Sequence, residues 1–254
     1  LLQREILERQ KVEKSLQVAE QTLAQSSKLA ALGEMSAAVS HELNQPLAAM
    51  KTYLAGAKLL LQRKRPDEAL SSFQRIDDLI GRMSAITRQL KSYARKAGED
   101  FVPVDVRSAL NSALAIMEPQ LKSQQISLSK TIPREALMIF GDQLRLEQVI
   151  VNLLRNALDA TSSVVSPEIE ILLIGGESIN LTVRDNGEGI SDLDELFEPF
   201  FTTKNPGDGI GLGLAISSGI VTDLGGRLVA RNNESSGAVF ELILPVLSIE
   251  KSGS

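Results

Sequence analysis

The sequence has no cysteine, no tryptophan and a single histidine in 254 residues. Without cysteine there can be no disulfide, no thiolate metal site and no iron–sulfur cluster. Aromatic residues make up 4% against a hydrophobic fraction of 43%, which points to cores of Leu, Ala and Ile in packed helices. No apolar run approaches the roughly eighteen residues that a membrane-spanning helix needs, and no signal peptide is recognisable. A net charge of −5 argues against a nucleic-acid-binding protein. The chain opens at Leu1 in the middle of a helical pattern, which implies a segment upstream.

What is present is organised around that one histidine, in Ser40-His41-Glu42-Leu43-Asn44-Gln45-Pro46. An imidazole, with an ordinary pKa of about 6.5, can pass protons or phosphoryl groups near neutral pH. A neighbouring carboxylate can hold one ring nitrogen as N–H and leave the other free to attack. Pro46 stands inside a segment that otherwise reads as helix and removes the bond to the Glu42 carbonyl, which predicts a bend there. Taken alone, a single histidine on a helix is an ordinary surface residue. The C-terminal half of the chain changes that.

Residues 1–26 are rich in Leu, Gln, Glu, Lys and Arg and contain neither Gly nor Pro. From Val12 through Leu16, Ala19 and Leu23 to Ala37, small and apolar residues recur at alternating spacings of four and three, as in a coiled coil, with a phase slip near Arg9. A single amphipathic helix on a globular body is the alternative. The helix continues to about Gln62, breaks at Arg63–Asp67, and a second runs from Asp67 to about Lys96. Two such helices form an antiparallel hairpin that buries one stripe only. A second copy would complete a four-helix bundle, so a homodimer is expected, with His41 on the rim of the bundle. Residues 97–100 read as a linker. Beyond them, helices at 104–116, 142–160 and 212–224 and strands at 126–132, 168–174, 178–184, 227–233 and 237–244 predict a mixed α/β domain.

Four patches in that domain carry chemistry. Asn152 and Asn156 are four apart on one helix face and can offer amide oxygens to a hard cation such as Mg²⁺, although buried polar structure explains them equally well. Asp185-Asn186-Gly187-Glu188-Gly189 follows a strand directly, a tight turn with an acceptor-only carboxylate at its base. Such a carboxylate suits an exocyclic amino group like adenine's, and a plain hairpin turn is the simpler alternative. Leu196–Phe201 gathers three of the seven phenylalanines as a local anchor, and Lys204 beyond it is a point charge for a phosphate. Gly207–Leu214 has glycines at 207, 209, 211 and 213 and opens a helix, so its N–H groups can approach phosphates. It is neither a Walker loop nor the first turn of a Rossmann unit.

Together and in this order, the five motifs resemble those of bacterial sensor histidine kinases. His41–Pro46 is similar to the H box, 152–160 to the N box, Asp185–Gly189 to the G1 box, Leu196–Phe201 to the F box and Gly209–Gly213 to the G2 box. The run through Met50 and Phe-Phe-Thr-Thr-Lys point to the subgroup of C4-dicarboxylate transport sensors and nitrogen regulators. The resemblance implies an α + α/β chain. Residues 1–26 would be a signalling coiled coil, 27–98 a dimerisation and phosphotransfer domain, and 99–254 an ATP-binding sandwich of Bergerat type. It implies ATP and Mg²⁺ as cofactors, His41 as phosphoacceptor, Glu42 as its base, and Asn156 as the Mg²⁺ ligand with Asn152 beside it. Asp185 would take the adenine amino group, Gly187 and Gly189 would shape the pocket, and Lys204, Gly209, Gly211 and Gly213 would close on the phosphates. The implied partners are a second copy and the receiver domain of a response regulator. The implied place is the cytoplasmic side of an inner-membrane sensor.

Two departures stand out. Many members carry Lys three residues after the Mg²⁺-binding Asn, where this chain has Asp159, so Arg155 or Lys204 would have to serve instead. One helical turn after His41 stands Gln45, where members that dephosphorylate their partner carry Thr or Asn; weak or absent phosphatase activity is expected. Two rivals remain: an ATP-hydrolysing conformational switch without phosphohistidine, and an inactive dimeric scaffold. Intact Asn156, Asp185 and the glycines speak against the scaffold, and the Glu42–His41 pair against the switch.

Overall fold

The computed structural model describes residues 36–94, 101–199, 201–203 and 211–247, with a few single positions upstream; the side chains at 36–39, 41, 42, 82, 85 and 88–94 lie outside that description. The coiled coil expected at 1–26 therefore falls largely outside the described residues, and the linker at 97–100 wholly so. Two compact units divide near residue 97.

The first unit is a hairpin of α1 (Ser36–Gln62) and α2 (Pro66–Ala94). α1 runs through Pro46 as a single element. It ends because Lys64 takes a left-handed conformation (φ 58°), letting Lys64 N–H reach the Leu61 carbonyl at 3.0 Å and Arg65 N–H the Leu60 carbonyl at 2.9 Å. Pro66 then starts α2 where its missing N–H costs nothing, with Asp67 and Glu68 in the first turn and the Arg65 guanidinium on the Glu68 carboxylate. Ala57, Ala69 and Ile86 are buried between the helices. Arg75 lies 5.6 Å over the Tyr53 ring and donates to its hydroxyl at 3.2 Å, tying the two helices in register. Outside that seam Leu54, Leu70, Phe73 and Ile80 are exposed, Leu70 by 72%.

The second unit is a five-stranded sheet of β2 (Ser127–Thr131), β4 (Glu168–Ile174), β5 (Ser178–Asp185), β7 (Ala238–Pro245) and β6 (Arg227–Asn232), hydrogen-bonded in that order. β2 pairs parallel with β4 and all other pairs are antiparallel. Strict alternation puts Ile169, Ile171 and Leu173, then Ile179, Leu181 and Val183, then Phe240, Leu242 and Leu244 on one buried face. The other face carries cross-strand pairs, Glu170 with Arg184 at 3.5 Å and Glu241 with Arg231 at 3.3 Å. Against the sheet pack α4 (Gln143–Ala160) and α5 (Gly213–Asp223), and α3 (Val106–Ser123) packs on α4.

The helix expected at 104–116 is corrected at both ends. Val104 belongs to β1 (Val102–Asp105), which pairs antiparallel with β3 (Met138–Gly141), neither strand being expected from the pattern. Helix α3 starts at Val106 because the Asp105 carboxylate caps it, accepting from Arg107 N–H at 3.1 Å, and it runs through Pro119 to Ser123, held by buried Leu121. Its end repeats the α1 device, with Gln125 left-handed (φ 54°) and Ile126 N–H on the Leu121 carbonyl at 3.0 Å. A side chain in that conformation is strained, so Gln125→Gly should raise stability by up to about 1 kcal/mol, read by denaturant unfolding.

Candidate functional site

Helix α4 buries a continuous stripe, Leu146, Val149, Ile150, Leu153, Leu154, Ala157 and Leu158. It begins at Asp142, whose carboxylate accepts from the N–H groups of Leu144 (2.9 Å) and Arg145 (3.2 Å). Along one edge of the stripe stand Arg145, Asn152 and Asn156, seven and four residues apart and so in line on the helix surface. Helix α5 lies antiparallel along this edge. Arg145 meets Asp223 at the far end of α5 in an ion pair of 2.5 Å, with both side chains under 15% exposed. Two turns on, Asn152 donates to the Ser217 hydroxyl at 3.0 Å. There α5 begins: a Cβ on Gly213 would stand 2.5 Å from Asn152 Oδ1, so only glycine lets the helices meet this closely.

Asn156 lies one further turn along α4, past the start of α5. Its carboxamide is half-buried and makes no side-chain hydrogen bond among the described residues. The start of α5 has no side-chain cap, so among the described residues no side chain satisfies its first N–H groups. Gly211, just before it, is left-handed (φ 69°) and Leu212 is 1% exposed, which anchors the helix start in the core. An amide oxygen and a bare helix N-terminus side by side suit a cation-bound anion such as Mg²⁺ with a polyphosphate. Among the described residues no cluster of carboxylates could hold a metal without such a ligand.

Asp185 continues the odd-numbered buried row of β5, so alternation aims a carboxylate into the apolar face at the end of the strand. It is 3% exposed. Oδ1 accepts from Gly187 N–H at 2.9 Å and Ala238 N–H at 3.1 Å, while Oδ2 makes no bond among the described residues. Burial pushes the carboxyl above its ordinary value, and the two backbone bonds pull the other way. The turn after it is fixed on three sides. Gly187 abuts the end of α4, where a Cβ would lie 2.5 Å from the Ala160 carbonyl oxygen. Gly189 is left-handed (φ 80°), and the Asn232 side chain clamps both the N–H and the carbonyl of Ile190, at 2.7 and 2.9 Å. Gly237 (φ 86°) presses on the Asp185 backbone with no room for a side chain.

Of the residues singled out in the sequence, Asn152, Asn156, Asp185, Gly187, Gly189, Gly211 and Gly213 therefore meet around α4 and the strand ends. Arg155 and Asp159 are exposed on the same helix. Lys204 and Gly209 lie outside the described residues, as does Phe200 of the phenylalanine cluster. His41 and Glu42 stand on α1, in the other unit, with their side chains outside the description. Gln45 is half-buried on the same helix. Sequence reasoning missed Ser217, Asn232, Gly237 and the Ala238 N–H. Only the helix and strand pairings bring them to the site, and a serine directly after Leu214-Ala215-Ile216 was the one available signal.

Residues 31–99 match the His Kinase A (phospho-acceptor) domain family, and residues 141–248 the histidine kinase-, DNA gyrase B- and HSP90-like ATPase family. The C4-dicarboxylate transport sensor protein DctB of Pseudomonas aeruginosa is 40% identical over 248 residues, 96% of this chain and 40% of that protein, so the chain spans two-fifths of that relative's length. The solved catalytic domain of the histidine kinase ThkA is 29% identical, with a TM-score of 0.52 over 57% of this chain and 95% of that one. A longer ThkA structure, in complex with the response regulator protein TrrA, shares the fold at a TM-score of 0.64 and 24% identity, covering 87% of this chain and 64% of that one. A helical phospho-acceptor hairpin followed by an ATPase sandwich, matched by two family models over most of the chain, makes it a member of the histidine kinase family, with the phospho-acceptor and ATPase domains of the sensor kinases it resembles.

Proposed function

We propose that this chain phosphorylates itself on His41 from Mg²⁺·ATP and passes the phosphoryl group to an aspartate of a response regulator, in the control of C4-dicarboxylate uptake. One observation carries the nucleotide half. An uncommitted Asp185 oxygen and an uncommitted Asn156 carboxamide, the latter beside the bare start of α5, stand at the edge of one sheet-and-helix core. Asp185 Oδ2 accepts from the adenine amino group, Asn156 gives its oxygen to Mg²⁺, and the α5 N–H groups with Gly211 and Gly213 face the phosphates; Gly187 and Gly189 shape the adenine pocket. Lys204 and Gly209, with Arg155 in place of the lysine absent at Asp159, add phosphate contacts.

In the first step a ring nitrogen of His41, its partner N–H held by Glu42, forms a bond to the γ-phosphorus as the bond to the β-bridging oxygen breaks and ADP leaves. In the second, a carboxylate oxygen of the regulator takes the phosphoryl group and His41 is regenerated. Positioning and charge neutralisation supply most of the acceleration. The exposed apolar stripe of the hairpin, Leu54, Leu70, Phe73 and Ile80, supports a homodimer that completes a four-helix bundle. On this reading 1–26 is the signalling helix, 27–98 the phosphotransfer domain and 99–254 the ATP domain. The regulator partner is supported by the ThkA–TrrA complex, and the uptake role by the transport-sensor relative. No helix among the described residues is long and apolar enough to cross a membrane, and a cytoplasmic location follows only with a membrane sensor upstream. Gln45, one turn beyond His41, makes phosphatase activity weak.

The test is incubation with γ-labelled ATP and Mg²⁺. Acid-labile, base-stable label is expected on the wild type and absent from His41→Gln and Asn156→Ala. Hydrolysis of ATP without label, unchanged in His41→Gln, would replace the kinase with a conformational switch.

A further inference from the structure

Resting on the proposed nucleotide site, we propose that Asn152 is a positioning residue and not a ligand: clamped between Ser217 and Gly213, it fixes where the start of α5 meets Asn156. Both ends of its carboxamide are engaged by α5. The NH₂ donates to the Ser217 hydroxyl at 3.0 Å, and Ser217 is only 2% exposed, so breaking that bond would strand a buried hydroxyl. The oxygen lies against Gly213, closer than any Cβ would permit. Asn156, one turn along the same edge, makes no such bond and is free to face a ligand. Two asparagines that look equivalent in sequence therefore divide the work. Asn156 meets the cation, and Asn152 sets the distance between that amide and the N–H groups of the α5 start. Those N–H groups bear on the γ-phosphoryl group only while α5 holds this position, and misplacement there lowers the rate of transfer more than it weakens binding.

The experiment compares Ser217→Ala, Ser217→Thr, Asn152→Ala and the Ser217→Ala/Asn152→Ala double variant in the full chain. It measures Mg²⁺·ADP affinity and the rate of His41 labelling at saturating ATP. Either alanine variant is expected to slow labelling roughly tenfold with ADP affinity within about twofold of wild type. The double variant should be no slower than the poorer single, and Ser217→Thr, which keeps the hydroxyl, should be restored. A second measurement needs no nucleotide. Gly213→Ala should lower Tm in the wild-type background but not in Asn152→Ala, where the obstructing amide is gone. Asn152→Ala that weakens ADP tenfold while Ser217→Ala is silent would overturn the proposal, as would rate losses that multiply or equal Tm losses for Gly213→Ala in both backgrounds. Wild-type protein that binds no nucleotide would instead overturn the functional reading beneath it.

Discussion

Asp185→Asn is expected to weaken ATP binding roughly 100-fold, the equivalent of about 2–3 kcal/mol, while leaving the fold intact. The two carboxylate oxygens have different duties. Oδ1 already accepts two backbone N–H groups, from Gly187 and Ala238. An asparagine must keep its oxygen there, since turning its NH₂ towards two donors would lose both bonds. The NH₂ then occupies the place of Oδ2 and presents a donor to the donor on adenine. Isothermal titration with ATP and circular dichroism on the same sample read the two halves, and ATP affinity within threefold of wild type would remove Asp185 from the adenine site. Stability should move the other way with pH. Because burial raises the Asp185 carboxyl above its ordinary value of 3.8, the native chain keeps a proton that the unfolded chain has already lost. Its contribution is therefore fully present below the ordinary value and is lost as pH rises to the raised one. Asp185→Asn has no charge to bury, so its stability relative to wild type should climb across that window and then level off.

Asp223→Ala is expected to cost about 3–5 kcal/mol of stability, because it leaves the Arg145 guanidinium buried without its partner. Arg145 is 7% exposed, and its Nε has no hydrogen-bond partner among the described residues even with Asp223 in place. Loss of the carboxylate adds the 2.5 Å contact to that deficit. For a domain of this size the shift in Tm should be on the order of 10 °C. Replacing both charges, as Arg145→Met with Asp223→Leu, should recover most of the loss, since a buried pair contributes little beyond an apolar pair of similar volume. A single variant with a Tm within 2 °C of wild type would mean that water reaches the pair.

The paired faces of the sheet, the ends of β4 and β5 and the polar edge of α4 were legible because they obey periodicity: alternation along the strands, and the i, i+4 spacing of Asn152 and Asn156. Asp185 was legible as a carboxylate after a strand, and its parity with Ile179, Leu181 and Val183 is what drives it inward. The short β1–β3 pair was not, because four residues such as Val102–Asp105 contain too little pattern to separate strand from the first turn of the following helix. Nor was the left-handed end of α1 at Lys64, or of α3 at Gln125, where glycine is the usual signal and neither position has one. The partnership of Asn152 with Ser217, and of Arg145 with Asp223, spans 65 and 78 residues of chain. Only the antiparallel packing of α4 on α5 creates it, and no local spacing encodes which helix lies beside which.

The strand that ends in Asp185 is the middle one of five, paired along its length to β4 on one side and β7 on the other. Its amides can exchange with solvent only when the whole sheet opens, so the carboxylate proposed to meet adenine sits in the slowest-exchanging part of the domain. The start of α5, by contrast, is held by buried Leu212, the Asn152–Ser217 hydrogen bond and the Gly213 contact at the end of a helix of 11 residues, so opening it locally costs less than opening the sheet. The two ends of the bound nucleotide would thus rest on ground of very different permanence: adenine on a base that does not breathe, the phosphates beside a helix end that can lift and return many times for each opening of the sheet.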